Sequence, residues 1–160
     1  MQIISTLTFA GPCDRVADML INPEFAQFVG AEIGAGNVTV TSLDDGLTAV
    51  FTVDTPTVAK RIVGAQMTVT ETITWQAATP AGIRVGRMTM SLLGLPVCAD
   101  GPLRLTATPD GSEIVYDTEF AVRIPLVGNK IEKVTEKHIL GIIAACESVG
   151  NRWLADPAAA

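Results

Sequence analysis

Residues 126–154, LVGNKIEKVTEKHILGIIAACESVGNRWL, constrain the fold of this chain more than any other stretch. Apolar residues recur there at the i, i+3, i+4, i+7 spacing of an amphipathic helix, and polar residues, among them Glu147 and Asn151, occupy the opposite side. A helix of this length spans about 43 Å, more than the width of a small domain. Its apolar side is therefore expected to lie on a sheet. That predicted side comprises Ile131, Val134, Thr135, His138, Ile142, Ala145, Val149 and Trp153.

Most of the remaining chain has the alternation and turn residues that are typical of β-strands. Strands are predicted over residues 2–9, 38–43, 47–54, 67–75, 82–92, 102–108 and 113–124. Two short helices are predicted after the first strand, and Asn22 and Pro23 suit the start of the second one. Residues 56–64 fit either a short helix or a mobile loop. The pattern predicts an α+β fold with seven antiparallel strands and a long C-terminal helix.

Length and composition predict a single domain over residues 1–154, followed by a disordered tail over residues 155–160. Apolar residues make up 48% of the chain and charged residues only 18%, which argues against overall disorder. The net charge of −6 argues against nucleic acid as a partner, because phosphate binding requires clustered Lys and Arg. The apolar runs are too short for a membrane span, so no integral membrane segment is predicted.

The cysteine and histidine pattern predicts no metal site. Cys13, Cys98 and Cys146 are odd in number and far apart, and none has a neighbour at metal-ligand spacing. Reduced thiols in a cytoplasmic protein are expected. The first residues carry no positive segment and alternate as a strand does, which argues against a signal peptide. Without a phosphate-binding glycine loop or another cofactor motif, no cofactor is predicted.

Four stretches of the sequence resemble one known family. They are the strand-to-helix junction over residues 123–132 (RIPLVGNKIE), the strand residues 71–75, a strand start at Gly101-Pro102-Leu103, and the helix end at Trp153-Leu154. With the order of elements, they resemble an uncharacterised bacterial family of the START / polyketide-cyclase-like (SRPBCC) superfamily. The resemblance covers nearly the whole chain. It implies the helix-grip fold, in which a curved sheet wraps around the last helix and often leaves a ligand cavity, but it implies no reaction.

Two ionisable residues are candidates for chemistry. His138, the one histidine, is expected to project from the long helix toward the sheet, where it could exchange a proton with a ligand or donate a hydrogen bond to it. The alternative is a neutral core histidine bonded to a strand. Glu71 shares one side of its strand with Val69 and Ile73, while threonines take the other side. An inward Glu71 would be an acid in an apolar cavity, but alternation alone leaves its side open.

Further residues are predicted to contact the ligand, with plain core packing as the alternative: Phe51, Met88, Met90, Tyr116, Phe120, Val134, Ile142 and Leu95. The two methionines would give an adaptable lining. Leu95 lies in an apolar turn, which is unusual for a surface segment and suits the rim of a binding site. Leu140 and Ile143 fall toward the outer side of the long helix and suggest a homodimer contact or the cover of a loop.

These observations predict a protein that binds a small hydrophobic ligand, such as a lipid, sterol or polyketide-like molecule, between the sheet and the C-terminal helix. One alternative is a cyclase- or aromatase-like enzyme in which His138 and Glu71 transfer protons. A second alternative is a protein-interaction module.

Overall fold

The computed structural model of the protein describes residues 1–57 and 59–156, apart from the side chains of Ile62 and Val134. The chain runs β1 (Gln2–Phe9), α1 (Cys13–Leu20), α2 (Pro23–Glu32), β2 (Gly36–Leu43), β3 (Gly46–Asp54), α3 (Lys60–Val63), β4 (Gln66–Trp75), β5 (Arg84–Leu92), β6 (Val97–Thr108), β7 (Gly111–Val122) and α4 (Gly128–Ala155). The α+β class and the order of elements are confirmed. The predicted disordered tail falls mostly outside the described residues, although α4 extends through residue 155, where that tail was expected to begin.

Local sequence signals explain where several elements begin. Strand β1 has the predicted bounds, and every second side chain along it is buried. Helix α2 begins after Asn22, whose Oδ1 accepts hydrogen bonds from the backbone N–H groups of Glu24 (2.8 Å) and Phe25 (3.3 Å). These bonds satisfy two donors that the first helical turn leaves free. The ambiguous residues 56–64 contain the single short turn of helix α3.

All seven strands form one antiparallel sheet in the order β1-β7-β6-β5-β4-β3-β2. Strands β2 to β7 each pair with their neighbours in sequence, and β1 pairs with β7. The predicted start of β6 at residue 102 is wrong, because the strand begins at Val97. Gly101 and Pro102 suggested a break, but Gly101 lies inside the strand, where a Cβ would overlap the backbone of Asp117 on β7. This close approach requires glycine.

Helix α4 lies over β1 and β7 and also contacts α2. Two of its polar side chains bond the free edge of β1. The backbone N–H of Thr8 donates to Glu147 Oε1 (2.7 Å), and that of Ala10 donates to Asn151 Oδ1 (2.9 Å). Asn151 Nδ2 donates in return to the Thr8 carbonyl oxygen (2.9 Å). The helix thus covers part of an edge that would otherwise present unpaired backbone groups.

These bonds also correct the predicted orientation of α4. Glu147 and Asn151 were placed on the side away from the sheet, yet both contact β1. The side of the helix that packs inward includes Ile131, Ile139, Ile143, Cys146 and Val149. His138 and Ile142 are exposed, so the prediction that they are buried against the sheet is wrong. Helical periodicity identifies an apolar stripe, but packing along an edge strand decides which part of it is covered.

Close packing at the C-terminal end of α4 depends on small and aromatic residues. A Cβ on Gly150 would overlap the ring of Phe9 and lie 3.0 Å from Met19 Cε, so glycine lets the helix approach the sheet. Trp153 packs edge-on against Phe25 and Phe28 of α2, with ring centroids 5.7 and 5.5 Å apart. Phe25 is buried, while Phe28 stays exposed on the outer side of this contact.

The interior is divided into two apolar clusters. The large cluster joins the sheet to α1, α2 and the end of α4, and includes Leu7, Phe9, Val16, Phe25, Ile73, Trp75, Leu103, Ile114, Tyr116, Val149 and Leu154. The small cluster lies nearer the start of α4 and comprises Ile3, Val97, Ala99, Phe120, Val122 and Ile131. The boundary between them crosses the inner face of the sheet.

Candidate functional site

Strand register decides which way Glu71 points. Ala49, Glu71, Met90, Ala99 and Phe120 are successive partners across β3, β4, β5, β6 and β7. Directly opposed residues project to the same face of a sheet. Because Ala49, Ala99 and Phe120 are buried, this row lies on the inner face and carries Glu71 with it. The threonines that alternate with Glu71 on β4 lie on the outer face.

The inner face is unevenly covered. Where the helices pack on the sheet, Leu103 and Ile114 are completely buried. On the strands farther from α4, Phe51, Met88 and Met90 share the inner face but are only half-buried. The side chain of Glu71 is half-buried as well. The inner face of β3, β4 and β5 therefore keeps contact with solvent, as the wall of an accessible binding site would.

Glu71 is one of three ionisable side chains with raised pKa values, and its charge affects the other two, Cys146 and Tyr116. Burial raises the pKa of Glu71 above its ordinary value. Burial also raises the pKa of Cys146 to about 12, and the charge of Glu71 adds to that shift. The pKa of Tyr116 is raised well above its ordinary value by burial, then by the charges of Cys146 and Glu71. Like charges and low polarity both favour the neutral forms of these groups.

The three ionisable side chains come from different elements. Tyr116 on β7 lies three strand spacings from Glu71 on β4, about 14 Å across a flat sheet. It is also four residues along β7 from Phe120, which shares the row of Glu71. Cys146 approaches from α4. The three side chains thus come from the sheet and from the helix that it grips.

Several polar groups on the inner face have no protein partner. Ser5 Oγ and Thr118 Oγ1 are buried without a hydrogen bond, and so is Trp75 Nε1 on the same face. Within the described part of the chain, no hydrogen bond reaches the Glu71 carboxylate or the Tyr116 hydroxyl. A buried polar group without a partner costs about 1–3 kcal/mol. Among the described residues, three of the five buried side-chain atoms without a partner lie on this inner face, and the other two belong to Thr55 and Asp100.

The predicted site residues separate into three sets. Glu71, Phe51, Met88, Met90, Tyr116 and Phe120 share the inner face of the sheet. Leu95 packs against the small cluster, whereas Leu93 of the same turn is 76% exposed. His138 and Ile142 lie exposed on α4, and their contact with a ligand stays a prediction. The side chain of Val134 lies outside what the structure describes.

Sequence reasoning missed Ser5, Thr118 and Cys146. The two hydroxyl residues look like ordinary members of alternating strands, and only their missing partners distinguish them. Cys146 was treated as one of three reduced thiols. All three cysteines are indeed free, and Cys146 is the one near Glu71 and Tyr116.

A separate surface pocket of about 420 Å³ lies at the junction of β7 and α4. Its lining includes Arg123, Pro125 and Asn129, and none of the inner-face site residues takes part. The described residues contain no group of three His, Cys, Asp or Glu side chains placed to hold a metal ion. Likewise, none of their helices is long and apolar enough to cross a membrane.

Residues 5–154 match the model of the family described as "Protein of unknown function (DUF2505)", and the chain belongs to this family. No curated protein matches the sequence. Among solved structures, the protein TTHA0849 from Thermus thermophilus is similar with a TM-score of 0.64 and 10% identity, over 95% of each chain. A STAR-related lipid transfer protein from Xanthomonas axonopodis has a TM-score of 0.63 and 15% identity, over 92% of this chain and 84% of that one.

A third similar structure is the di-domain ARO/CYC protein StfQ from the steffimycin biosynthetic pathway. The TM-score is 0.62 at 13% identity, and the match covers 94% of this chain and 50% of that one. This chain thus spans about half the length of the di-domain protein. These similarities confirm the START-like helix-grip fold that the strand-to-helix junction predicted.

Proposed function

We propose that this helix-grip protein binds a small hydrophobic ligand between the inner face of its sheet and α4. The observation that carries the proposal is the partial exposure of Phe51, Met88 and Met90. Ala99, the strand partner of Met90, and Ala49, two residues before Phe51 on β3, are buried on the same face. Apolar side chains that line a solvent-accessible concave surface are the usual walls of a small-molecule site. Methionines adapt their shape to ligands of different outline.

The relatives support a ligand of this class. One similar structure is named as a lipid transfer protein and another as an aromatase/cyclase of a biosynthetic pathway. Both names fit a ligand that is largely apolar, whether a lipid, a sterol or a polyketide-like molecule. The shared fold permits such a ligand, while the residues of this chain must supply its recognition.

The proton-transfer alternative loses its geometric basis. It requires His138 and Glu71 to flank one substrate, but His138 is exposed on α4. The groups coupled to Glu71 are Tyr116 and Cys146, both with raised pKa values. Glu71 therefore enters the proposal as a polar contact of the ligand site.

Binding can be tested with purified protein and a panel of a fatty acid, a sterol and the aromatic hydrocarbon fluorene. Native mass spectrometry and thermal shift are the measurements. Met90→Gln places a polar side chain of similar length on the inner face and is expected to weaken binding about tenfold, or about 1.4 kcal/mol. Thr89→Gln, on the outer face of the same strand, is the matched control and should bind as the wild type does. Absence of binding by every member of the panel would refute the proposal.

A further inference from the structure

A line of polar side chains follows the boundary between the two apolar clusters. On β1, Ser5 lies between Ile3 of the small cluster and Leu7 of the large one. On β7, Thr118 occupies the same position between Phe120 and Tyr116. We call Ser5, Thr118 and Glu71 the polar belt. It crosses an inner face that is otherwise largely apolar.

Ser5 and Thr118 are near neighbours in the register of β1 and β7, and Glu71 lies across the same face of the sheet on β4. Ser5 is the direct partner of Tyr116, and Thr118 lies two residues farther along the same strand. Glu71 is close enough to Tyr116 for its charge to raise the pKa of the phenol. Glu71 is also the direct partner of Met90, which packs against the small cluster, while Met88 packs against the large one. The belt therefore marks the same boundary on β1, β7 and β4.

The fold leaves two hydroxyl groups of the belt without a hydrogen-bond partner. Ser5 and Thr118 are only 9% and 5% exposed, and neither hydroxyl has a hydrogen-bond partner. A buried hydroxyl without a hydrogen-bond partner destabilises a protein. Alanine in place of Ser5 and valine in place of Thr118 would avoid this cost. A ligand that supplies the missing partner would offset the cost only in the complex.

The charges near the belt decide which polar group fits. Among the eleven Lys and Arg residues, all are exposed except Arg84, which is half-buried and bound to Asp14 at 2.9 Å. Arg84 shares the inner face through its pairing with Leu105, but Asp14 already binds its guanidinium. The Met1 ammonium near the small cluster is bound by the Phe120 carbonyl oxygen and by Glu132. Both cations are thus engaged within the protein, and Glu71 would repel a ligand carboxylate. A hydroxyl group both donates and accepts, so it can pair with Ser5, with Thr118 and with Glu71 in either protonation state.

We propose that the polar belt selects hydrophobic ligands that carry an uncharged hydroxyl group between two apolar parts, and discriminates against ionised carboxylates. This inference rests on the proposed binding function. The two apolar parts would contact the large and the small cluster, and the hydroxyl would meet the belt between them.

Three probes with one carbon skeleton test the inference: fluorene, 9-fluorenol and fluorene-9-carboxylate. The last two carry their polar group between two aromatic rings. Dissociation constants at pH 7.5 are measured by probe fluorescence for the wild type and for Thr118→Val and Glu71→Gln. Thr70→Val and Glu119→Gln are the matched controls, since both residues lie on the outer face of the sheet.

For the wild type, 9-fluorenol should bind roughly tenfold more tightly than fluorene, and the carboxylate should bind more weakly than 9-fluorenol by at least the same factor. Thr118→Val and Glu71→Gln should reduce the preference for 9-fluorenol over fluorene, while the controls retain it. Melting curves of each variant without ligand verify folding. Equal binding of fluorene and 9-fluorenol, or tightest binding of the carboxylate, would overturn the belt inference and leave the proposed function standing. If none of the probes and no member of the wider apolar panel binds, both proposals fail.

Discussion

Replacing Thr118 with valine is expected to stabilise the protein in the absence of ligand. The Thr118 side chain is 5% exposed on the inner face of β7, and its hydroxyl has no hydrogen-bond partner. Valine has nearly the same shape and prefers β-strands, so it introduces neither a cavity nor a backbone conflict. The substitution removes only the unpaired polar atom.

The size of the gain follows from the cost of that atom. A buried polar group without a partner costs about 1–3 kcal/mol, and the lower half of this range is expected because the hydroxyl is small. A gain of about 1–2 kcal/mol corresponds to an increase in Tm of about 2–8 °C for a domain of this size. Thr70→Val, on the partly exposed outer face of β4, should change the free energy of unfolding by no more than about 0.5 kcal/mol.

Urea unfolding and thermal unfolding, both followed by circular dichroism, measure these changes. A Thr118→Val protein that is less stable than the wild type would show that the hydroxyl is hydrogen-bonded in the folded state. The reasoning that identifies Thr118 as an unpaired polar group reserved for a ligand would then be refuted. Greater stability with weaker 9-fluorenol binding would support that reasoning, because functional polar groups commonly reduce the stability of the free protein.

Three further substitutions test the electrostatics of the site and the packing of α4. Burial raises the pKa of Glu71, so the folded protein holds the carboxyl proton of Glu71 more tightly than the unfolded chain does. The protein therefore becomes less stable as the pH rises through the folded-state pKa of Glu71. Glu71→Gln should therefore increase the free energy of unfolding at about pH 7.5, and this increase should become smaller toward about pH 4. Urea unfolding at several pH values measures it. An increase that does not change with pH would show that the pKa of Glu71 is not raised in the folded protein. Gly150→Ala should destabilise the protein by about 1–3 kcal/mol, because its Cβ would overlap Phe9. Gly141 on the same helix is the control, because a Cβ there meets nothing within 4 Å. Gly141→Ala should stabilise the protein by about 0.5–1 kcal/mol in thermal unfolding. Equal effects of the two substitutions would show that Gly150 is not tightly packed.

Local patterns predicted the elements of this fold well. The strict alternation of residues 2–9 gave the bounds of β1, and Asn22 with Pro23 identified the start of α2. The order of elements, together with the family resemblance of residues 123–132, predicted the helix-grip architecture that the similar structures confirm. Strand β6 was the exception. Gly101 looks like a break in sequence, whereas in the sheet it allows the close approach of a neighbouring backbone.

The sequence by itself determined that a long amphipathic helix must pack on an antiparallel sheet, because hydrophobic periodicity is a property of consecutive residues. Only the tertiary structure decided which residues meet between them. Strand register placed Glu71 on the inner face, and the bonds of Glu147 and Asn151 to β1 turned His138 toward solvent. Each of these outcomes depends on contacts between residues that are far apart in the chain, and no local pattern records them.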